Sequence, residues 1–352
     1  MSHNVSLVNK VLNEAKNIVS AELNRIFKER RRTGYGPLYT LLEDYPLREG
    51  KGLRPAICLA ACRAVGGITE QAILSCAALE LFHNAFLLHD DVEDGSEFRR
   101  GSQTMLRAKG APVAINVGDA TNVLAMGPLI ENTQRLGVRK ALMVLIEIER
   151  MARESAEGQA IELEWIAENK FSLTDRDYVR MAYKKTCAYT VIAPLRIGVI
   201  CGLAPGNKAL LSSELLPLTE LGFYSGIAFQ IHDDLLNLEG DSQEYGKENA
   251  GDLWEGKRTV ILLHFLRVAA KRDRSRAIKI LRKVRNDKTE SDISWLLGAI
   301  RKAGSLHYAR SLAIEYSEKA LNCEGNRLSI WENNDDRRFL QEMLNYVIDR
   351  TK

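Results

Sequence analysis

Asp90, Asp91 and Asp94 close an apolar stretch in LELFHNAFLLHDDVEDGSEFRRG, residues 79–101. At about 100° per residue in an ideal helix, the three carboxylates fall within one arc of roughly 100°. Left alone they repel one another, and a solvated helix end would accommodate them. A second set argues for more. QIHDDLLN, residues 230–237, repeats the spacing with Asp233, Asp234 and Asn237, again after apolar helical sequence and again just behind a histidine. Oxygen-only clusters without cysteine suit hard cations, and Mg²⁺ commonly binds one or two carboxylates together with substrate phosphates. Two such helix ends facing each other would hold metal ions that grip a polyphosphate between them.

A polyphosphate also needs cations from the protein. Lys51 and Arg54 in GKGLRP, Arg99 and Arg100 in FRRG, Lys247 in YGKENAGD and Lys257 in EGKRT all occur in glycine-flanked settings. Lysine offers a point charge and arginine a planar fork for phosphate. Each alone reads as a surface charge; beside two acidic clusters they suggest a diphosphate site. His83 lies seven residues before Asp90 and about 20° from it on the same face, although a lone histidine on an apolar helix is ordinarily a core residue. His89 and His232 read as helix-end histidines.

The elements that position these residues are helical. Apolar positions at Leu7, Val8, Val11, Leu12, Ala15, Ile18, Val19 and Leu23 give residues 5–30 one amphipathic face. TGYGP (33–37) breaks that helix, and REGKGLRP (48–55) loosens the backbone before a proline suited to a first helical turn. Helical sequence runs over 56–65, breaks at Gly66-Gly67 and restarts with Thr69 as N-cap. Long helices follow over 111–131, 138–168, 175–203 and 208–239, then shorter ones over 259–271, 274–284, 289–303, 306–323 and 336–349. The polar, glycine-rich stretch 240–258 is the longest candidate active-site loop. With no βαβ alternation and no short-period repeat, the expectation is an all-α fold, its buried helices packed as a large bundle. Residues 1–352 read as a single domain, with 1–34 as an N-terminal helix and loop.

Composition narrows the rest. At 352 residues and 45% hydrophobic content, a large core is available. A net charge of +3 points to no nucleic-acid partner, and KERRR (28–32) lacks interleaved aromatics. Six cysteines without a C-x-x-C pair read as buried thiols in a reducing compartment. No uninterrupted apolar run reaches the roughly 18 residues of a membrane span, and the N-terminus lacks a signal-peptide block. A cytoplasmic protein is expected.

The ordered motifs resemble the trans-isoprenyl diphosphate synthases of the polyprenyl synthetase family. GKGLRP is similar to that family's GKRLRP, and DDVEDGSEFRRG to its first aspartate-rich motif with RRG. AYKKT (182–186) matches its mid-chain Lys-Thr motif and GIAFQIHDDLLN its second aspartate-rich region. YGKENAGDLWEGKRT matches the downstream G-K-x-x-G-D-x-x-x-G-K-x-T pattern. The resemblance implies an all-α fold, a large antiparallel helix bundle around a central cavity, in a homodimer that joins isopentenyl diphosphate to an allylic diphosphate by 1′-4 head-to-tail condensation. It also implies several Mg²⁺ ions, three with substrate bound, held by Asp90, Asp91, Asp94, Asp233 and Asp234. Arg99, Lys185, Lys247 and Lys257 would contact the allylic diphosphate; Lys51, Arg54, His83 and Arg100 would hold isopentenyl diphosphate. Thr186 and Gln230 would flank the carbocation. Asp90, Asp94, Lys185, Gln230 and Asp233 are the expected catalytic set.

Two positions depart from the pattern. Gly52 stands where the family has arginine, and Asn237 where the second cluster has its last aspartate. Chain length in the family is limited by side chains just upstream of the first cluster, here Phe82, Ala85 and Phe86. On the wheel Phe82 and Phe86 share a flank, whereas Ala85 points well away from the carboxylate arc. A small residue beside two phenylalanines points to a geranylgeranyl (C20) product, with farnesyl (C15) or a longer polyprenyl as alternatives. A terpene cyclase has no use for the second group of cations, and an HD-type phosphohydrolase none for the repeated D-D-x-x-D/N spacing. A non-catalytic subunit of a heteromeric synthase would have lost acids or cations that this chain keeps.

Overall fold

The computed structural model describes residues 2–48, 50–204, 206–207, 215–239, 250–327, 331–332 and 334–349. Its architecture is all-α. Helix α1 (Ser2–Thr33) is followed by α2 (Leu53–Arg63) and α3 (Thr69–Glu93). A minimal hairpin of β1 (Phe98–Arg99) and β2 (Ser102–Gln103) then leads to α4 (Ala111–Leu136) and α5 (Val138–Ala167). Next comes a continuous run of α6 (Asp175–Ala182), a π-helical segment (Tyr183–Ile192) and α7 (Ala193–Gly202). Helix α8 (Leu216–Glu239), the short α9 (Gly251–Glu255), α10 (Val260–Val268), α11 (Ser305–Arg327) and α12 (Asp335–Asp349) follow.

Helix α3 is apolar nearly all round, the pattern of a helix enclosed by others, and it packs along α4. One apolar core gathers α1–α4 and α7 around Phe27, Leu59, Leu79, Leu124 and Ile197. A second gathers the end of α5 with α6, α8, α10, α11 and the helix Glu290–Lys302 around Trp165, Tyr178, Ile231, Phe265, Ala309 and Leu296. The π segment serves both, placing Val191 in the first core and Cys187 and Ile192 in the second. Its neighbours approach closely because they are glycines. A methyl group at Gly158 of α5 would run into the Lys185 backbone, and one at Gly226 of α8 would sit 2.6 Å from Cys187 Cβ. Wide helical turns of this kind recur at functional sites, and this one carries Lys185 and Thr186.

Several expectations change in detail. Thr69 is the first helical residue rather than the cap; Ile68 precedes it, with its N–H bonded to Gln71 Oε1 at 2.9 Å. The hairpin at FRRG was not expected, and residues 208–214 and 240–249 lie outside the described residues. Gly52 sits at φ +62°, in the left-handed region at the start of α2. Glycine pays no Cβ penalty there, so this departure eases a turn the chain makes anyway. By length and mean composition α3 and α4 could each cross a bilayer, although neither contains an unbroken apolar run of that length. In the fold, 72% of the apolar window of α3 and 44% of that of α4 are buried within the chain.

Candidate active site

The acidic ends of α3 and α8 meet at one cavity of about 300 Å³, with the π segment between them. Asp90 comes from α3, Asp233 and Asp234 from α8, and Asp252 from α9; Arg54, Arg99, Arg100, Lys185 and Lys257 also line it. Acids and cations pair across this space. Lys257 Nζ lies 2.7 Å from Asp94 Oδ2 and 2.7 Å from Glu255 Oε2. Lys185 Nζ lies 3.3 Å from Asp90 Oδ1 and also pairs with Glu162. Burial works against the charge of Lys185, but Asp90 and Glu162 outweigh it, and its pKa rises above the ordinary lysine value. Burial pushes the Asp94 carboxyl up to about 7 against the pull of Lys257.

A hydrogen-bonded chain crosses the floor. Thr186 Oγ1 donates to Gln230 Oε1 at 2.6 Å, and Gln230 Nε2 donates to Asp234 Oδ1 at 2.7 Å. Tyr178 donates its hydroxyl to Asp234 Oδ2 at 2.7 Å. Burial, and then the charge of Asp252, hold the Asp234 carboxyl well above the usual range.

A separate cationic corner lies beside it. Arg100 and Gly101 form the two-residue loop of the hairpin at φ +53° and +73°, the conformations a type I′ turn requires. A non-glycine residue there is strained. The strained residue donates from its guanidinium to Tyr45 O at 3.1 Å and reaches His83 Nε2 at 3.5 Å. Arg54 stacks on Tyr189 at 4.3 Å and donates to Thr190 Oγ1 at 2.9 Å. Burial, then Arg54 and Arg100, hold the His83 ring well below its ordinary pKa, so it is neutral at pH 7. Among the described residues, Arg54 Nε and His83 Nδ1 are buried without a hydrogen-bond partner.

Comparison with known proteins agrees with this geometry. Residues 37–300 match the Polyprenyl synthetase family. The chain belongs to that family. It is 32% identical over 301 residues to the short chain isoprenyl diphosphate synthase of Methanothermobacter thermautotrophicus, covering 86% of each chain. It is 30% identical to the geranylgeranyl pyrophosphate synthase of Geoglobus acetivorans, covering 98% of this chain and 99% of that one. The crystal structure of geranylgeranyl pyrophosphate synthetase from Pyrococcus horikoshii superposes with a TM-score of 0.82 at 31% identity, covering 98% of both. The protein is a trans-prenyltransferase.

Within this polyprenyl synthetase, the expected residues fall into distinct places. Arg54, His83, Asp90, Arg99, Arg100, Lys185, Thr186, Gln230, Asp233, Asp234 and Lys257 line the cavity, and Asp94 reaches it through Lys257. Asp91 does not. It is fully buried, accepting from Arg99 Nε at 2.9 Å and from the Tyr45 hydroxyl at 2.5 Å, so its oxygens orient Arg99 instead of facing a metal. Lys51 is exposed and off the cavity, and Lys247 lies outside the described residues. Asn237 plays a structural part, because its Oδ1 accepts from Asp252 N–H at 3.1 Å and fixes the segment that carries Asp252.

A second cavity of about 380 Å³ adjoins the first, sharing Leu87, Asp90, Lys185 and Tyr189. Phe86 lines it, with its ring edge-on to Tyr189 at 5.7 Å. Phe82 is buried behind Phe86, ring centroids 6.2 Å apart, and Ala85 is fully buried; neither lines the cavity. Glu162, Tyr178 and Asp252 join the site without having been expected from the sequence. Asp252 stands in the G-D step of a motif already recognised; no local signal marks the other two.

Proposed function

We propose that this synthase condenses isopentenyl diphosphate with an allylic diphosphate, head to tail, and stops at C20. The observation that carries the reading is the pairing of two cation groups, Arg99, Lys185 and Lys257 among the aspartates and Arg54 with Arg100 beside His83, at a cavity that adjoins a second, partly apolar one. The carboxylated side takes the allylic diphosphate. Its C–O bond breaks with the electron pair leaving on diphosphate, and Lys185, Lys257 and Arg99 stabilise the developing charge. Thr186 and Gln230 present oxygens beside the allylic cation, Thr186 held by its bond to Gln230 and Gln230 by its bond to Asp234. The isopentenyl double bond, its diphosphate held by Arg54, Arg100 and neutral His83, attacks that cation, and a proton then leaves to the released diphosphate.

The donor set fits Mg²⁺. Asp90, Asp94, Asp233, Asp234 and Asp252 offer only oxygen, the donor Mg²⁺ prefers, and Mg²⁺ takes part of its shell from substrate phosphates. Bound Mg²⁺ would supply further positive charge at the leaving diphosphate, with three ions as the expected complement.

We also infer a homodimer and a cytoplasmic location, with residues 1–352 as one prenyl transferase domain. Ile115, Val123 and Ile130 of α4 and Leu142 and Ile146 of α5 expose an apolar face suited to a second copy. The names of the Geoglobus and Pyrococcus relatives favour C20.

Diphosphate release measured with each substrate alone and with both tests the reaction class. Release requires both substrates; release from the allylic substrate alone at the full rate would indicate a cyclase. For chain length, F86A opens the second cavity and lengthens the products seen by chromatography after dephosphorylation. An unchanged distribution would remove Phe86 from the wall.

A further inference from the structure

We propose that the basic helix Lys271–Leu281, with the segment that follows it, is a docking face for an anionic lipid bilayer. The choice of lipid as the partner rests on reading the product as a C20 prenyl diphosphate. Residues 271–288 hold nine lysines and arginines against two aspartates, a net charge of +7. The whole chain carries only +3, so all other residues together sum to −4. One short segment therefore holds the excess of positive charge.

The fold lays that charge on one side. At about 100° per residue, Lys271, Arg272, Arg276, Lys279 and the cap residue Arg282 fall within an arc of roughly 140°, and all five are exposed. The buried Ala277, Ile280 and Leu281 take the opposite side and pack into the second core. Lys283 pairs with Asp292 at 2.6 Å and Arg276 stacks on Trp295 at 4.1 Å, whereas Lys271, Arg272, Arg274 and Lys279, among the described residues, enter no ion pair. Crowded cations without acids suit an extended anionic surface. Because the apolar side of the helix is already used inside the protein, the contact is adhesion of charge, not insertion of the helix into lipid.

The place of the helix favours lipid over other polyanions. Arg285 faces Glu255 at 3.7 Å, and Lys288 Nζ donates to Leu253 O at 3.1 Å. The segment thus abuts the turn that brings Asp252 and Lys257 to the diphosphate cavity. A C20 diphosphate is an amphiphile whose hydrocarbon leaves water for a bilayer. A bilayer held on this face lies beside the site that makes it. Single-stranded nucleic acid calls for aromatic stacking platforms, and residues 271–288 contain no aromatic side chain.

Co-sedimentation with phospholipid vesicles in about 0.1 M NaCl, where the Debye length is about 10 Å, reads the face directly. Wild-type protein should pellet with vesicles of phosphatidylglycerol and phosphatidylcholine in equal parts, and stay in solution with phosphatidylcholine alone. The combination Lys271→Gln, Arg272→Gln, Arg274→Gln and Lys279→Gln should weaken binding to the anionic vesicles about a hundredfold. Its turnover without vesicles should match wild type, since none of the four lines either cavity. Should that variant fail to fold by circular dichroism, Arg272→Gln with Lys279→Gln should weaken binding about tenfold. No pelleting of wild type with anionic vesicles, equal pelleting with neutral ones, or equal binding by the variants overturns the docking face. Tighter binding to duplex DNA than to the anionic vesicles at the same salt gives the face to nucleic acid and overturns it too. Sedimentation needs no turnover, so a protein that pellets as expected but extends no primer keeps the docking face and loses the synthase reading.

Discussion

Replacing Asp90 or Asp233 by alanine lowers condensation by about 10³-fold or more while circular dichroism shows the helices intact. Both carboxylates line the diphosphate cavity. Asp90 also holds Lys185 at 3.3 Å, so on the proposed reading its loss removes a metal donor and frees a cation that the leaving group needs in place. Neither side chain belongs to an apolar core, which is why the fold should tolerate the change. The loss should persist at saturating substrate, because charge stabilisation at the departing diphosphate acts on the chemical step. Turnover within a few-fold of wild type in either variant would remove the carboxylates from the chemistry.

Asp91→Ala, one residue away, should behave differently. Asp91 and Arg99 are both buried, and Tyr45 completes the group through its hydroxyl. Removing the acid leaves a buried guanidinium whose remaining carboxylate contact, among the described residues, is Asp90 at 3.5 Å. Breaking a buried pair from one side costs about 3–5 kcal/mol, so urea unfolding should show a loss of that order. Asp91→Asn restores shape and one acceptor and should recover part of it. A normal unfolding midpoint for Asp91→Ala would contradict the structural role, and a loss of Mg²⁺ affinity at unchanged stability would return Asp91 to the metal site.

The contrast between these neighbours shows where the sequence was legible. The spacing put Asp90, Asp91 and Asp94 on one arc, and the ordered motifs pointed to the family and the all-α bundle. An arc of roughly 100°, however, has two edges, and nothing local says which one meets the core. Asp90 and Asp94 lie on the cavity side; Asp91, at the far edge, meets Arg99 and Tyr45. Ala85 follows the same rule: the wheel turned it away from the carboxylates, and it is packed in the protein interior. Arg100 could be read as a phosphate ligand, but its φ of +53° could not, because the hairpin that imposes it has strands only two residues long. Glu162 and Tyr178 come to the site through long-range packing of α5 and α6 and belong to none of the recognised motifs.

On the proposed reading, one cavity binds two diphosphates and joins their hydrocarbon parts. Incubation of the purified protein with Mg²⁺, isopentenyl diphosphate and, in turn, C5, C10 and C15 allylic diphosphates tests it most directly, with mass spectrometry of the products. Linear diphosphates lengthened in steps of five carbons, converging on C20 from every primer, are the predicted result. A folded protein that returns all three primers unextended would contradict the account.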